Sequence, residues 1–201
     1  MSINDENTEE IFNNIKNLIA VAVKDRHHAF HTPVFSNQTL VKSIASRVVV
    51  IRNFDANNLK LNFHTDYRSP KIIDLKNNNL SSFVFYDHNL KIQIRLETKS
   101  KINNKNELTK KVWQQTPLYS RKCYLTKKSP SSITTFPEDG LPEYLKGKTP
   151  TEKETENGYN NFSIIENKIL NIDWLFLAST GHRRLKIIFK KKEPLFKWMI
   201  P

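Results

Sequence analysis

One cysteine, Cys123, stands in 201 residues. The chain can therefore close no internal disulfide, which fits a reducing compartment and predicts a cytoplasmic protein. Cys123 sits in the apolar and aromatic stretch KCYL and is expected to be a buried, inert thiol. No run of 18 apolar residues occurs, so no membrane helix is expected. The opening MSINDENTEE is acidic and lacks the cationic-then-apolar order of a secretory leader. Acidic residues are outnumbered, 20 against 32 Lys and Arg, for a net charge of +12. The surrounding field should attract anions, either nucleic acid or phosphorylated small molecules. There is no arginine-rich block and no aromatic RNA-binding signature. Lysine and asparagine are enriched together (NNNL, NNKN, NNF), as an AT-rich genome alone would produce, so nucleic acid ranks behind small anions. His27, His28 and His31 form HHxxH without the glutamate of the zinc-hydrolase helix, and no metal site is expected.

What remains suits one domain with a substantial core. Ile11, Ile15, Leu18, Ile19 and Ala22 recur at helical spacing and predict a helix over about 8–24, capped by Thr8. After an irregular polar stretch, RVVVIR (47–52) reads as one strand and LKLNFHT (59–65) as its hairpin partner. A short helix opens at Pro70. SSFVFY (81–86) and LKIQIRLE (90–97) make a second hairpin, and ELTKKVWQQ (107–115) reads as a helix. SRKCYL reads as a short strand. Residues about 127–160 hold three of the four glycines and four of the nine prolines and read as one long loop. NFSIIE, KILNIDWLFLA, RRLKIIF and LFKWMIP are strand-like, with Lys190–Lys192 as a solvated turn. The expected fold class is mainly β (α+β): an antiparallel split barrel with flanking helices in a single domain.

The polar groups gather at strand ends. LNFHTDYRSPK places Thr65, Arg68, Ser69 and Lys71 within seven residues, more cations and hydroxyls than a turn requires. A phosphate dianion is held by such ammonium, guanidinium and hydroxyl donors near a helix start. Arg47, Arg52 and Arg184 also lie at strand ends, and Gln93, which both donates and accepts, suits the edge of a heteroaromatic ring. Arg47 and Arg52 are five apart and face opposite ways on a regular strand, so sharing one ligand requires a bulge or a strand end between them.

In this order, SRVVVIRNFD, LNFHTDYRSPK, LKIQIRLE and GHRRLKIIF…LFKWMIP resemble the pyridoxamine 5′-phosphate oxidase family of FMN-binding split barrels, in its oxidase-like branch. HHAFHTPVFS and VWQQTPLYSR extend the resemblance over the whole chain. It implies a homodimer with FMN at the subunit interface. By this resemblance Arg47, Val48, Val49, Val50 and Arg52 run along the flavin, and His64 and Thr65 lie against its rings. Ser69 and Lys71 hold the phosphate, with Ser129 a looser match, and Gln93 meets the isoalloxazine edge. Trp174 and Arg184 approach from the partner subunit, and His182 falls in the substrate-binding signature. Two departures matter. The family's Arg-Lys pair at the phosphate is Pro70-Lys71 here, leaving Arg68 to compensate. Thr180 stands where the family's substrate-holding arginine belongs, and Trp113 and Arg121 are the only candidates for its Tyr-x-x-x-Arg. The resemblance implies an FMN-dependent oxidoreductase that is not a true pyridoxamine phosphate oxidase. A non-catalytic flavin-binding module, a nucleic-acid-binding barrel, and deazaflavin or haem in place of FMN stay open.

Overall fold

Helix α1 (Thr8–Lys24) covers one end of the sheet because Phe12, Ile15, Ile19 and Ala22 fall on one face and are buried. The computed structural model describes residues 7–190 and 193–201; residues 191 and 192 of the expected lysine turn lie outside it. The cap of α1 is Asn7, not Thr8: its side-chain oxygen accepts from the Glu9 N–H at 2.9 Å, and Thr8 is already helical. Phe12 packs on Phe189 and Phe196, with ring centroids 5.8 and 6.2 Å apart.

Nine strands are described: β1 (Val34–Gln38), β2 (Ile44–Val48), β3 (Ile51–Asp55), β4 (Lys60–Asp66), β5 (Leu80–Asp87), β6 (Ile92–Asn104), β7 (Phe162–Phe176), β8 (Arg183–Lys190) and β9 (Glu193–Met199). All pairings are antiparallel, in the order β2-β1-β5-β6-β7-β4-β3, with β8 on β7 and β9 on β8. The long strand β7 serves two partners on one side. Its first half pairs with β4 and its second half with β8, which splits the sheet. RVVVIR is thus not one strand. β2 ends at Val48, β3 begins at Ile51, and Val49 donates its N–H to the Pro33 carbonyl at 3.0 Å. Those strands are the two ends of the sheet and do not pair. A two-residue link spans at most about 11 Å, so the sheet curls until its edges nearly meet and stops short of closure. The expected split barrel is observed in this open form.

Phe35, Phe63, Phe83, Ile51, Leu61 and Leu96 fill its interior. Each large side chain so buried contributes roughly 2–3 kcal/mol. A smaller core of Trp113, Tyr124, Phe162 and Ile164 lies on the other face, beneath α3 (Glu107–Gln115) and α4 (Leu118–Arg121). SRKCYL is therefore helical rather than a strand. Arg121 fixes it by donating to the carbonyls of Thr116 (2.9 Å) and Gln114 (3.1 Å) and to Thr155 Oγ1 (3.3 Å), which satisfies carbonyls left open at the end of α3. The loop expected over 127–160 gives way near its end to α5 (Glu152–Thr155) and a 3-10 segment (Glu156–Asn161). A capping box between Thr151 and Glu154 starts it. No described helix is long and apolar enough to cross a membrane.

Candidate functional site

β4 carries Thr65 at its end, a turn follows, and α2 (Pro70–Asn77) begins. Ser69 is the N-cap of α2, yet its hydroxyl caps nothing; it turns to Lys71 instead. Lys71 Nζ donates to Ser69 Oγ at 2.6 Å and to Thr65 Oγ1 at 2.9 Å. Both hydroxyl oxygens thereby act as acceptors, and their own protons stay available to a third group, as does the remaining ammonium proton. Ser69 and Thr65 are buried and Lys71 is half-buried.

Arg47 enters this cup from β2. It pairs in register with Phe35, so it points to the inner face, with its guanidinium 5.6 Å from the Phe35 ring centroid and bonded to Asn37 Oδ1. Asn37 Nδ2 donates to Asp74 Oδ2 at 3.2 Å, and the Asp74 carboxylate also accepts from the Leu40 N–H at 3.2 Å. Asn37 and Asp74 thus orient Arg47, and the sequence reading missed both. Asp74 lies three residues after Lys71 on the same face of α2, a spacing that was visible; Asn37 lies in a stretch read as irregular. Burial and then the nearby Arg47 charge pull Lys71 down to about 8, against an opposing pull from Asp66. Burial likewise lowers Arg47, with Asp74 acting the other way. Two cations held together and partly desolvated form a receptor for an anion.

Arg68 does not replace the cation lost at Pro70. It grips Asp66 through Nε (3.1 Å) and Nη2 (2.7 Å) and reaches the Thr126 carbonyl and hydroxyl at 3.0 and 2.9 Å. Arg121 is buried and engaged with the carbonyls and the Thr155 hydroxyl described above, and Trp113 lies in the small core.

Arg52 and His64 occupy a different place. Ile51 is fully buried and Arg52 exposed, and a register shift separates Ile51 from Asn53. His64 alternates with Thr65 and packs edge-on against Phe162 at 5.0 Å. Together with Gln115, Ser120, Cys123 and Tyr124 they line a cleft of about 250 Å³ under α3 and α4. Burial, then the Arg52 charge, lowers His64 to about 4, so it is neutral at pH 7. Cys123 is exposed rather than buried because its segment forms the cleft rim. Its thiol donates to the Ser120 carbonyl at 3.2 Å, and desolvation around the sulfur raises its pKa.

The remaining candidates are dispersed. Val48 is exposed, while Val49 and Val50 are half-buried in the link. Gln93 pairs with Tyr86 and Leu175 on the outer sheet face. Arg184 is on that same face, donating to Asp173 at 3.0 and 2.8 Å, and Asp173 also binds Arg95 at 2.6 Å. Trp174, between Ile94 and Leu185 in register, faces the core and stacks on Phe176. Ser129 bonds to Ser132 in the loop at 3.0 Å, and His182 is exposed in the β7–β8 connection. Among the described residues no group of three or more His, Cys, Asp or Glu could hold a metal ion. His31 bonds through Nδ1 to the Ala22 carbonyl at 2.6 Å.

Residues 13–104, which contain the whole cup, match the family model described as pyridoxamine 5′-phosphate oxidase, FMN-binding domain. Among curated proteins none matches significantly. The fold is shared with solved structures. A pyridoxamine 5′-phosphate oxidase-related, FMN-binding protein from Nostoc punctiforme is 15% identical with a TM-score of 0.71, over 94% of this chain and 96% of that one. PhzG from Burkholderia lata, in complex with tetrahydrophenazine-1-carboxylic acid, is 16% identical with a TM-score of 0.72, over 98% and 95%. A general stress protein 26-related protein from Clostridium acetobutylicum is 9% identical with a TM-score of 0.54, over 96% and 97%. Cup, strand order and sequence match agree: residues 13–104 match the FMN-binding domain of pyridoxamine 5′-phosphate oxidase, and the sheet and helices that follow residue 104 complete the fold shared with these solved structures.

Proposed function

We propose that the protein is an FMN-dependent oxidoreductase of the oxidase-like branch, acting as a homodimer. The observation that carries this reading is the cup: Lys71, Thr65 and Ser69 within hydrogen-bond distance, with Arg47 close enough to depress Lys71. Its charge and donors fit the phosphate of FMN. Once bound, FMN supplies hydride or electron transfer; the chain's residues bind, orient and tune it. Cations beside the flavin favour its anionic, reduced form. The outer-face residues Gln93 and Arg184 would reach the flavin of a second copy rather than that of their own chain.

Pyridoxamine phosphate oxidation is not the proposed reaction. Thr180 replaces the substrate-holding arginine implied by the resemblance, and both Thr180 and His182 are exposed in a turn. The same observation favours, as second reading, a flavin-binding module without turnover. Purified protein should be yellow, or take up added FMN, and denaturation should release FMN. Lys71→Met should weaken FMN binding about ten- to hundredfold, the worth of one charged hydrogen bond. Protein that neither carries nor takes up flavin would remove the proposal, and steady peroxide formation from pyridoxamine phosphate would overturn its substrate clause.

A further inference from the structure

We infer that the cleft under α3 and α4 binds a small organic monoanion by its carboxylate, with the ligand's apolar body on Tyr124 and Val112. As the substrate site of an FMN-dependent enzyme it rests on the reading above; as a binding site it does not.

The chemistry of the walls selects the ligand. Arg52 brings a guanidinium with five donors. Arg68, Arg95 and Arg184 are matched to carboxylates and Arg121 to carbonyls, whereas Arg52 makes no hydrogen bond or ion pair among the described residues. The planar fork fits a carboxylate bidentately. Gln115 and the Ser120 hydroxyl, also on the cleft wall, likewise make no side-chain hydrogen bond among the described residues. They can engage a second polar atom. No Asp or Glu lines the cleft, so nothing in the wall competes for Arg52.

Charge then separates this ligand from that of the cup. The cup gathers two cations and two hydroxyls, which suits a dianion. The cleft has one permanent charge, since His64 is neutral near pH 7 and the Cys123 thiol stays protonated. A phosphate dianion here would leave one negative charge uncompensated in a partly desolvated site, which is costly. A carboxylate would not. A volume of about 250 Å³ accommodates a single-ring acid.

Benzoate and phenyl phosphate are the probes, titrated calorimetrically into the full chain with and without FMN. Benzoate is expected to bind saturably at millimolar concentration and more tightly than phenyl phosphate when Lys71→Met has disabled the cup. Arg52→Gln should weaken benzoate about ten- to hundredfold and Ser120→Ala severalfold, while Lys71→Met leaves it within twofold. No benzoate binding, indifference to both cleft variants, or a preference for phenyl phosphate in Lys71→Met overturns the inference. If benzoate binds through Arg52 but FMN does not bind, the flavoprotein reading falls and the cleft stands. If FMN binds and benzoate does not, the cleft alone falls.

Discussion

Lys71 is the residue on which structure, charge and titration meet. Without an anion it titrates at about 8 instead of 10.5. Between those values the unfolded chain holds more protons than the folded one, so stability of the FMN-free protein rises as pH climbs from about 8 to about 10.5. Below pH 8 the full cost of the buried ammonium is present. A bound dianion restores the charged form and returns the pKa upward. FMN affinity should therefore be level from pH 7 to 8 and then decline, by up to about tenfold per unit. Fluorescence titrations at successive pH values test this. Lys71→Met should flatten the profile above pH 8 and raise the melting temperature of the FMN-free protein, since stability is here sacrificed to a binding site. A wild-type profile that stays level to pH 10 would show that Lys71 does not face the anion.

Elements differ in how far the sequence announces them. α1 and α3 were legible because their periodicity and burial agree, and the paired strands β5 and β6 because they alternate cleanly. β1 escaped because VFSNQ is short and set among polar residues, and its burial comes from β2 and β5 on either side. The break inside RVVVIR is a tertiary event: β-branched residues favour strand throughout, and only the distant edges of the sheet require the chain to cross there. The cup was half legible. Lys71, Ser69 and Thr65 are neighbours in sequence, while the Asn37–Asp74 support of Arg47 and the separate destination of Arg52 depend on the fold. Arg68 shows the same limit, since its partner Thr126 lies 58 residues away. That contact pins the start of the loop over 127–150 to the end of β4. Arg68→Ala should accelerate proteolytic cleavage within 127–150 severalfold and leave FMN affinity within about threefold. A tenfold loss of FMN with unchanged cleavage would assign Arg68 to the phosphate after all.

At the scale of the whole sheet, one face is left without a layer among the described residues. Val48, Val34 and Val84 align in register from β2 through β1 to β5, and Val48 and Tyr86 are 62% and 49% exposed. Apolar surface of this kind costs roughly 25 cal/mol per Å² in water and marks contact sites when contiguous. The same face carries Gln93 and Arg184, whereas Arg47 points through the sheet to the inner face and the cup. On the function proposed above, these outer residues meet a flavin only where another copy presents its cup to them, and dimerisation and FMN binding would then be one equilibrium. Val48→Lys tests that coupling because its side chain points away from the cup of its own chain. Wild type should run as a dimer by light scattering and the variant as a monomer, with a loss of about tenfold or more in FMN affinity. FMN should in turn shift the variant back toward dimer as its concentration rises. A wild-type monomer that binds FMN fully would uncouple the two and confine the flavin to one chain.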